Sequence, residues 1–165
     1  MTRTRILRLK INGHEREVAA EPNAILLDVL REGLGLTGTK RGCDMGTCGC
    51  CNVLLDGRPV NSCLVLAWDC EDREITTIEG LLPEDPGALH PLQEAWAETG
   101  GSQCGFCSPG FIVTAEALLR EDPEPTETRV REALSGNLCR CTGYKKIVEA
   151  VLKAARSGRG VEVGS

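Results

Sequence analysis

The chain has 165 residues, enough for one large domain or two small ones, and its aromatic content of 3% excludes a deep aromatic core. The net charge is -5, and the basic residues are scattered among acidic ones, which argues against a nucleic-acid partner. Because no apolar run approaches the roughly 20 residues needed to cross a bilayer, we expect no membrane span.

The opening segment, MTRTRILRLK, stands where a secretory signal would lie. It has neither the apolar stretch nor the small-residue cleavage site of such a signal. We therefore expect a cytoplasmic location, where the reducing environment keeps thiols free. Clustered cysteines in that compartment bind metals more often than they form disulfides, and this chain has ten cysteines.

The next segment predicts a hairpin followed by a helix. Apolar and charged residues alternate along residues 5–19, and Asn12 with Gly13 supplies a two-residue turn. In the following stretch, AILLDVLREGL, apolar residues recur at helical spacing. The apolar face of this predicted helix consists of Leu26, Leu27, Leu30 and Leu34.

A second hairpin is predicted after a cysteine-rich loop. Residues 52–55 and 58–63 flank Asp56 and Gly57, which form another strong turn signal. Residues 74–78, EITTI, predict a last strand. The economical arrangement is one helix laid across a small mixed sheet.

A proline-rich segment, LLPEDPGALHP at residues 81–91, marks the predicted domain boundary. We assign residues 1–81 to a first domain and residues 82–165 to a second, and we interpret His90 as a linker residue. Beyond the boundary the apolar period becomes helical, which predicts four helices. Their apolar positions are Leu92, Ala95 and Trp96; Phe111, Ile112, Ala115, Leu118 and Leu119; Val130, Ala133 and Leu134; and Ile147, Val148, Val151, Leu152 and Ala155.

Capping residues are predicted at several ends of these helices. Ser108 followed by Pro109 indicates an N-cap with proline in the first helical position. Thr142 is the expected N-cap of the last helix, and Gly158 is its expected end. We expect the remaining tail, RSGRGVEVGS, to be loosely ordered.

Four cysteines of the first domain have the spacing of a plant-type [2Fe-2S] site. Cys43, Cys48 and Cys51 follow the pattern C-x4-C-x2-C, and Cys63 supplies the distant fourth thiol. Glycines at positions 42, 46 and 49 would let backbone N–H groups approach the negatively charged sulfurs. This spacing predicts one cluster on these four thiols.

A second group of cysteines lies in two closely spaced pairs, each near a predicted helix start. Helix N-termini direct N–H groups and the positive ends of their dipoles toward an anionic centre. Structural zinc is the alternative, although zinc sites usually use two CxxC pairs or histidines. The four residues are Cys104, Cys107, Cys139 and Cys141.

The order of the cysteine motifs resembles that of a known family. GCDMGTCGCC, DGRPVNSC, QCGFCSPG and NLCRCTGY are similar to motifs of the small iron-sulfur subunit of xanthine oxidase family molybdenum hydroxylases, which include carbon monoxide dehydrogenase and 4-hydroxybenzoyl-CoA reductase. The resemblance extends from the first strand to the last helix. It implies an α+β chain, with a plant-ferredoxin-like β-grasp domain followed by a four-helix bundle. Each domain would hold one [2Fe-2S] cluster.

The resemblance also implies partner subunits and a path for electrons through the chain. In this family the cluster of the helical domain lies beside the molybdopterin of a large catalytic subunit, and the other cluster lies toward an FAD-binding subunit. By motif, Gln103 and Cys141 would approach the pterin. Electrons would pass from molybdenum through the helical-domain cluster and the β-grasp cluster to FAD, and a reductase would use the same path in reverse. The pocket that selects the substrate would belong to the large subunit.

Two cysteines lie outside the two sets of four. Cys50 occupies a position where the family commonly has a small residue such as alanine. We interpret it as a small apolar filler, with ligand exchange as the alternative. Cys70 fits no metal-binding spacing and is expected to be a buried free thiol.

Two other classes of function compete with an electron-transfer subunit. A diffusible ferredoxin would need only the first domain, so the helical domain argues against it. A zinc-stabilised interaction module would be separated by metal analysis and visible absorbance. The pattern GLGLTG at residues 33–38 is not interpreted as a dinucleotide site, because it closes a helical stretch and follows no strand.

Overall fold

The computed structural model describes residues 4–83, 85 and 87–157. Its strands are β1 Arg5–Ile11, β2 His14–Ala20, β3 Asn52–Leu55, β4 Arg58–Asn61 and β5 Glu74–Thr76. They form one sheet in the order β2-β1-β5-β3-β4. Strand β1 pairs antiparallel with β2 and parallel with β5, whereas β3 pairs antiparallel with β4 and β5. The predicted small mixed sheet is therefore confirmed.

Both predicted hairpins are confirmed, and their turns have the backbone geometry that the sequence signals require. Asn12 and Gly13 have φ values of 53° and 76°, and Asp56 and Gly57 have values of 50° and 77°. Positive φ at both central residues matches the right-handed twist of the flanking strands. Strand β4 ends earlier than predicted, because Ser62–Leu64 turns into a 3-10 helix.

The leucine-rich helix is shorter and less regular than predicted. Helix α1 covers only Leu26–Asp28, and Val29–Gly33 continues as a π-helix. Gly35 has φ of 71°, so the chain can reverse and the N–H of Leu36 can donate to the carbonyl of Leu30 at 2.9 Å. The glycine pattern of this region therefore ends a helical segment.

Four helices follow the sheet, as predicted: α2 Pro91–Thr99, α3 Ser108–Glu121, α4 Glu127–Ala133 and α5 Lys145–Arg156. Helix α2 packs against α5, and α3 packs against β3. The core of these helices is continuous with the first half of the chain, because Leu54 of β3, Cys48 and Cys50 belong to the same hydrophobic cluster. With α1, the described residues contain five α-helices, and none is long and apolar enough to cross a membrane.

Two predicted caps are wrong. The N-cap of α3 is Cys107, and Ser108 is the first helical residue, with its hydroxyl 2.6 Å from the hydroxyl of Ser102. Helix α5 begins after Tyr144, which has φ of 69°, so the cap is not Thr142. The hydroxyl of Thr142 donates to the sulfur of Cys139 instead. Gly158 and the rest of the tail lie outside the described residues.

His90 is a buried N-cap, which differs from its interpretation as a linker residue. Its Nδ1 accepts from the N–H of Leu92 at 3.3 Å, and its Nε2 lies 3.4 Å from a carboxylate oxygen of Glu116. The other oxygen of Glu116 accepts from Nε of Arg120 at 2.7 Å. Burial lowers the pKa of His90. These contacts attach the start of α2 to α3.

Candidate metal centres

The cysteines of the first thiol set, Cys43, Cys48, Cys51 and Cys63, come together at the edge of the sheet. The first three lie in the loop before β3, and Cys63 lies in the 3-10 turn after β4. The thiols of Cys43 and Cys50 both lie near Cys48, and the thiol of Cys51 lies near Cys63. Cys48 and Cys51 are close enough to interact electrostatically. The set therefore brings Cys43 next to Cys48 and Cys51 next to Cys63, and Cys50 adjoins the first of these pairs.

Backbone donors in the loop lower the pKa of one of these thiols, whereas burial in the protein interior raises the pKa of another. Backbone N–H groups of Met45 and Thr47 lower the pKa of Cys43 to about 7, and the N–H of Met45 lies 3.5 Å from its sulfur. Burial raises the pKa of Cys51 to about 11. A buried thiolate of this kind needs a compensating cation, which iron would supply.

Two glycines keep side chains away from the first thiol set. A Cβ atom on Gly42 would lie 2.8 Å from the sulfur of Cys48. Gly46 has φ of 70°, and a Cβ atom there would overlap the side chain of Leu64. The loop therefore wraps around the sulfurs more closely than residues with side chains would allow.

The cysteines of the second thiol set, Cys104, Cys107, Cys139 and Cys141, also meet in pairs. The sulfurs of Cys104 and Cys141 are 3.6 Å apart, and the Cys107 thiol is within hydrogen-bonding reach of Cys139. Cys107 is the N-cap of α3, as the sequence placed it at a helix start. Cys139 and Cys141 lie in the loop before α5, and neither residue adjoins that helix.

Loop donors, and not the α5 N-terminus, surround the sulfur of Cys139. It accepts from the N–H groups of Cys141 and Thr142, both at 3.4 Å, and from the hydroxyl of Thr142 at 3.1 Å. Burial acts to raise the pKa of Cys139, but these donors outweigh it and hold the pKa below its ordinary value. Burial raises the pKa of Cys107 to about 12. Thr142 is a residue of this site that sequence reasoning assigned to a different role.

The two thiol sets differ in their exposure. Cys48, Cys51 and Cys63 are buried, whereas Cys104 and Cys141 are exposed. Gln103 is also exposed, and nearby Phe106 and Leu138 are 46% and 47% exposed. The second set therefore opens onto a partly apolar surface of the protein.

The pairwise arrangement fits a binuclear cluster. In a [2Fe-2S] cluster four thiolates bind two irons, two on each. Structural zinc instead takes four ligands around a single point. The donor sets present match the chemistry of iron-sulfur binding.

The two remaining cysteines are buried thiols. Cys50 is 6% exposed, and its S–H donates to the carbonyl of Cys48 at 3.9 Å. Cys70 is fully buried, as predicted, and its S–H donates to the carbonyl of Leu66 at 3.7 Å. Burial raises the pKa of Cys50 to about 12 and that of Cys70 to about 11. Cys70 lies in the hydrophobic core of the sheet, whereas Cys50 lies beside Cys48, Cys51 and Cys107.

Direct contacts that the sequence did not predict join the two thiol sets. The N–H of Leu138 donates to the carbonyl of Cys48 at 2.9 Å, and the side-chain amide of Asn137 donates to the carbonyl of Gly49 at 3.1 Å. A Cβ atom on Gly110 of α3 would overlap the carbonyl oxygen of Gly49. In the sequence, only the motif NLCRC, which contains Asn137 and Leu138, marked the segment that makes these contacts.

Two family descriptions cover almost the entire described chain. Residues 9–79 match the 2Fe-2S iron-sulfur cluster binding domain. Residues 77–152 match the [2Fe-2S] binding domain. Each match contains one thiol set.

Similar proteins are subunits or segments of oxidoreductases. The chain is 48% identical over 145 residues to the nicotinate dehydrogenase small FeS subunit of Eubacterium barkeri, covering 88% of this chain and 91% of that one. It superimposes on quinoline 2-oxidoreductase from Pseudomonas putida 86 with a TM-score of 0.87 and 45% identity, covering 96% and 99% of the two chains. It also superimposes on aldehyde oxidoreductase from Desulfovibrio desulfuricans ATCC 27774 with a TM-score of 0.88 and 47% identity. That match covers 94% of this chain and 17% of the longer one.

Proposed function

We propose a path for electrons through this chain, which belongs to the small iron-sulfur subunits of the xanthine oxidase family of molybdenum hydroxylases. The chain is a non-catalytic, electron-transferring subunit of an oxidoreductase. In our proposal it carries electrons between a molybdopterin site in a large subunit and FAD in another subunit. The observation that carries this proposal is the pairing of eight thiols into two sets of four.

The ligand assignment follows the observed pairs. In the first thiol set, Cys43 and Cys48 would bind one iron, and Cys51 and Cys63 the other. In the second set, Cys104 would share an iron with Cys141, and Cys107 with Cys139. When bound, each [2Fe-2S] cluster supplies a one-electron carrier. The chain contributes the N–H and hydroxyl donors at Cys43 and Cys139, which stabilise negative charge on sulfur.

We propose that the second thiol set faces the molybdopterin. The exposure of Gln103 and Cys141 supports this orientation, because a contact with a cofactor in another subunit requires residues at the surface. Exposed Phe106 and Leu138 nearby would be covered by the large subunit. In the aldehyde oxidoreductase of Desulfovibrio desulfuricans, the similar segment is part of one longer chain. The first set, in which Cys48, Cys51 and Cys63 are buried and Cys43 is half-buried, would then lie on the side of the FAD.

The domain assignment is also a proposal. Residues 1–81 would form a β-grasp domain, and residues 82–165 a four-helix bundle built from α2 to α5. The change from strands to helices beyond the 81–91 segment supports this division. All ten cysteines are free thiols, which supports a cytoplasmic, reducing environment.

Metal analysis tests the proposed cofactors. We expect the purified chain to contain about four irons and about four acid-labile sulfides, because two binuclear clusters require that number. Two distinguishable EPR signals should appear after reduction, and the preparation should contain no zinc. A colourless, zinc-filled preparation that still assembles with its partners would contradict the proposal. Purification of the chain alone, with no large subunit bound, would favour a diffusible ferredoxin.

Replacement of Gln103 tests the proposed orientation. We expect Gln103→Ala to slow electron transfer from molybdenum to the helical-domain cluster and to leave substrate selectivity nearly unchanged, because the substrate pocket lies in the large subunit. Rapid-reaction spectroscopy of the assembled complex measures this rate. A change in which substrates are accepted, or an unchanged filling rate, would show that Gln103 does not contact the pterin.

A further inference from the structure

From the backbone contact between the two thiol sets, we infer that the hydrogen bond from Leu138 to Cys48 is the route for electrons between the clusters, and that Asn137 is the residue that positions it. This inference rests on the proposed function above. It adds a route and a positioning residue, neither of which follows from the ligand assignment.

The hydrogen bond connects a ligand of one set directly to the neighbour of a ligand in the other. The carbonyl of Cys48 accepts from the N–H of Leu138 at 2.9 Å, a normal length for a strong backbone bond. Leu138 is followed in the chain by Cys139. Between the sulfurs of Cys48 and Cys139 there are therefore only covalent bonds and one hydrogen bond. Electrons tunnel more readily along such a path than across a gap between non-bonded atoms.

Asn137 holds the two backbones in this register. The residue is 3% exposed, and its Nδ2 donates to the carbonyl of Gly49 at 3.1 Å. Its own N–H donates to the carbonyl of Leu134 at 2.9 Å, which fixes it to the end of the preceding helical turn. The adjoining carbonyls of Cys48 and Gly49 are thus bound by adjoining residues of the second thiol set's loop. The side-chain and backbone bonds act as a two-point clamp.

The packing around this clamp is as close as backbones permit. A Cβ atom on Gly49 would lie 2.6 Å from Nδ2 of Asn137 and 2.6 Å from the carbonyl oxygen of Gly136. The amide oxygen of Asn137 is buried without a hydrogen-bond partner in the described structure. A buried polar atom without a hydrogen-bond partner is destabilising. The side chain of Asn137 therefore keeps its hydrogen bond to the carbonyl of Gly49 although its own amide oxygen is buried without a partner.

Two other connections between the halves provide controls. The side-chain amide of Asn52 donates to the hydroxyl of Thr114 at 2.9 Å, but Thr114 is seven residues beyond Cys107 and so offers a much longer bonded path. The thiol of Cys50 is close enough to Cys107 to interact electrostatically, but the structure records no hydrogen bond between them. Thr114→Ala and Cys50→Ala each remove one of these connections and leave the clamp unchanged.

The direct test is to remove the N–H of Leu138. Leu138→Pro has no backbone donor, and Asn137 already has the extended conformation, φ -112° and ψ 130°, that a following proline requires. Leu138→Ala is the matched control, because it keeps the N–H and removes the exposed side chain. Asn137→Ala removes only the positioning amide. Each variant is studied in the assembled complex.

The measurements are iron content, the EPR interaction between the two reduced clusters, and the rate of electron redistribution between them after flash reduction. We expect full iron in all variants, with several-fold slower redistribution and a weaker EPR interaction in Leu138→Pro and Asn137→Ala. Thr114→Ala and Cys50→Ala should match the unsubstituted protein. Leu138→Ala should keep the unsubstituted redistribution rate in the assembled complex, even if loss of an apolar side chain from the proposed subunit interface weakens assembly.

Unchanged redistribution in Leu138→Pro with full iron would overturn the inference, as would equal slowing in Thr114→Ala or slowing only in Cys50→Ala. If Leu138→Pro does not assemble, the redistribution rate in Asn137→Ala decides, and an unchanged rate in that variant would overturn the inference. Loss of a cluster in Asn137→Ala would also overturn the inference, because Asn137 would then support cluster binding and not the route. Absence of two clusters from the unsubstituted protein would instead refute the proposed function.

Discussion

Replacement of Cys48 by alanine should lower the iron content from about four atoms per chain to about two, because one cluster would lack a ligand. Cys48 lies beside Cys43 in one pair and close to Cys51 in the other, so its loss disturbs the entire first thiol set. Since metal binding and folding are coupled, the β-sheet half should also lose stability. Iron analysis and EPR of the reduced protein measure the loss of one signal.

The matched control is Cys50→Ala, which removes a neighbouring buried thiol. We expect both EPR signals to persist in this variant, because the first thiol set closes without Cys50. Cys70→Ala should behave in the same way, since Cys70 is buried in the sheet core, away from both sets. Loss of a cluster in Cys50→Ala would show that Cys50 is a ligand and that the proposed ligands of the first thiol set are wrong.

Gly110→Ala should destabilise the protein by about 1–3 kcal/mol, the usual cost of overpacking a tightly packed core. The added Cβ atom would overlap the carbonyl oxygen of Gly49 and lie 3.0 Å from the Cα of Cys50. Both neighbours are backbone atoms, so no side-chain rotation can relieve the contact. Alanine in a helix interior is favoured over glycine by roughly 1 kcal/mol, and the steric term must exceed this gain. Urea unfolding, followed by far-UV circular dichroism, measures the change in free energy.

Gly136→Ala is the control for this experiment, because a Cβ atom there would have no neighbour within 4 Å. We expect its free energy of unfolding to stay within about 0.5 kcal/mol of the unsubstituted value. Equal stability of the Gly110 and Gly136 variants would mean that α3 moves away from the cysteine loop without penalty.

Local signals in the sequence predicted most of the fold. Asn12 with Gly13, and Asp56 with Gly57, specified both hairpins because few other residue pairs adopt positive φ at two successive positions. The change to helical periodicity specified four helices after the boundary. Cysteine spacing grouped eight thiols into two sets of four, and the structure brings the members of each set close together; that these thiols bind the clusters stays a prediction.

Interactions between distant segments could not be predicted in the same way. The bond between Cys48 and Leu138 uses only backbone atoms, which leave no pattern of residue types. The cap of α5 was assigned to Thr142 by its residue type, but its hydroxyl is bound to a sulfur atom instead. His90 carried no signal of burial, because its partner Glu116 is on another helix. Propensity describes a residue's neighbours in sequence, and these contacts involve neighbours in space.

The hydrophobic cluster shared by β3 and the helices determines how this chain can be divided. A cut in the 81–91 segment would uncover Leu54 on one piece and Phe111 on the other, both of which are fully buried. Each fragment would then present an apolar face that favours aggregation. A chimaera between relatives must therefore exchange both halves together, or else keep Gly49 and Gly110 as matched partners across the junction.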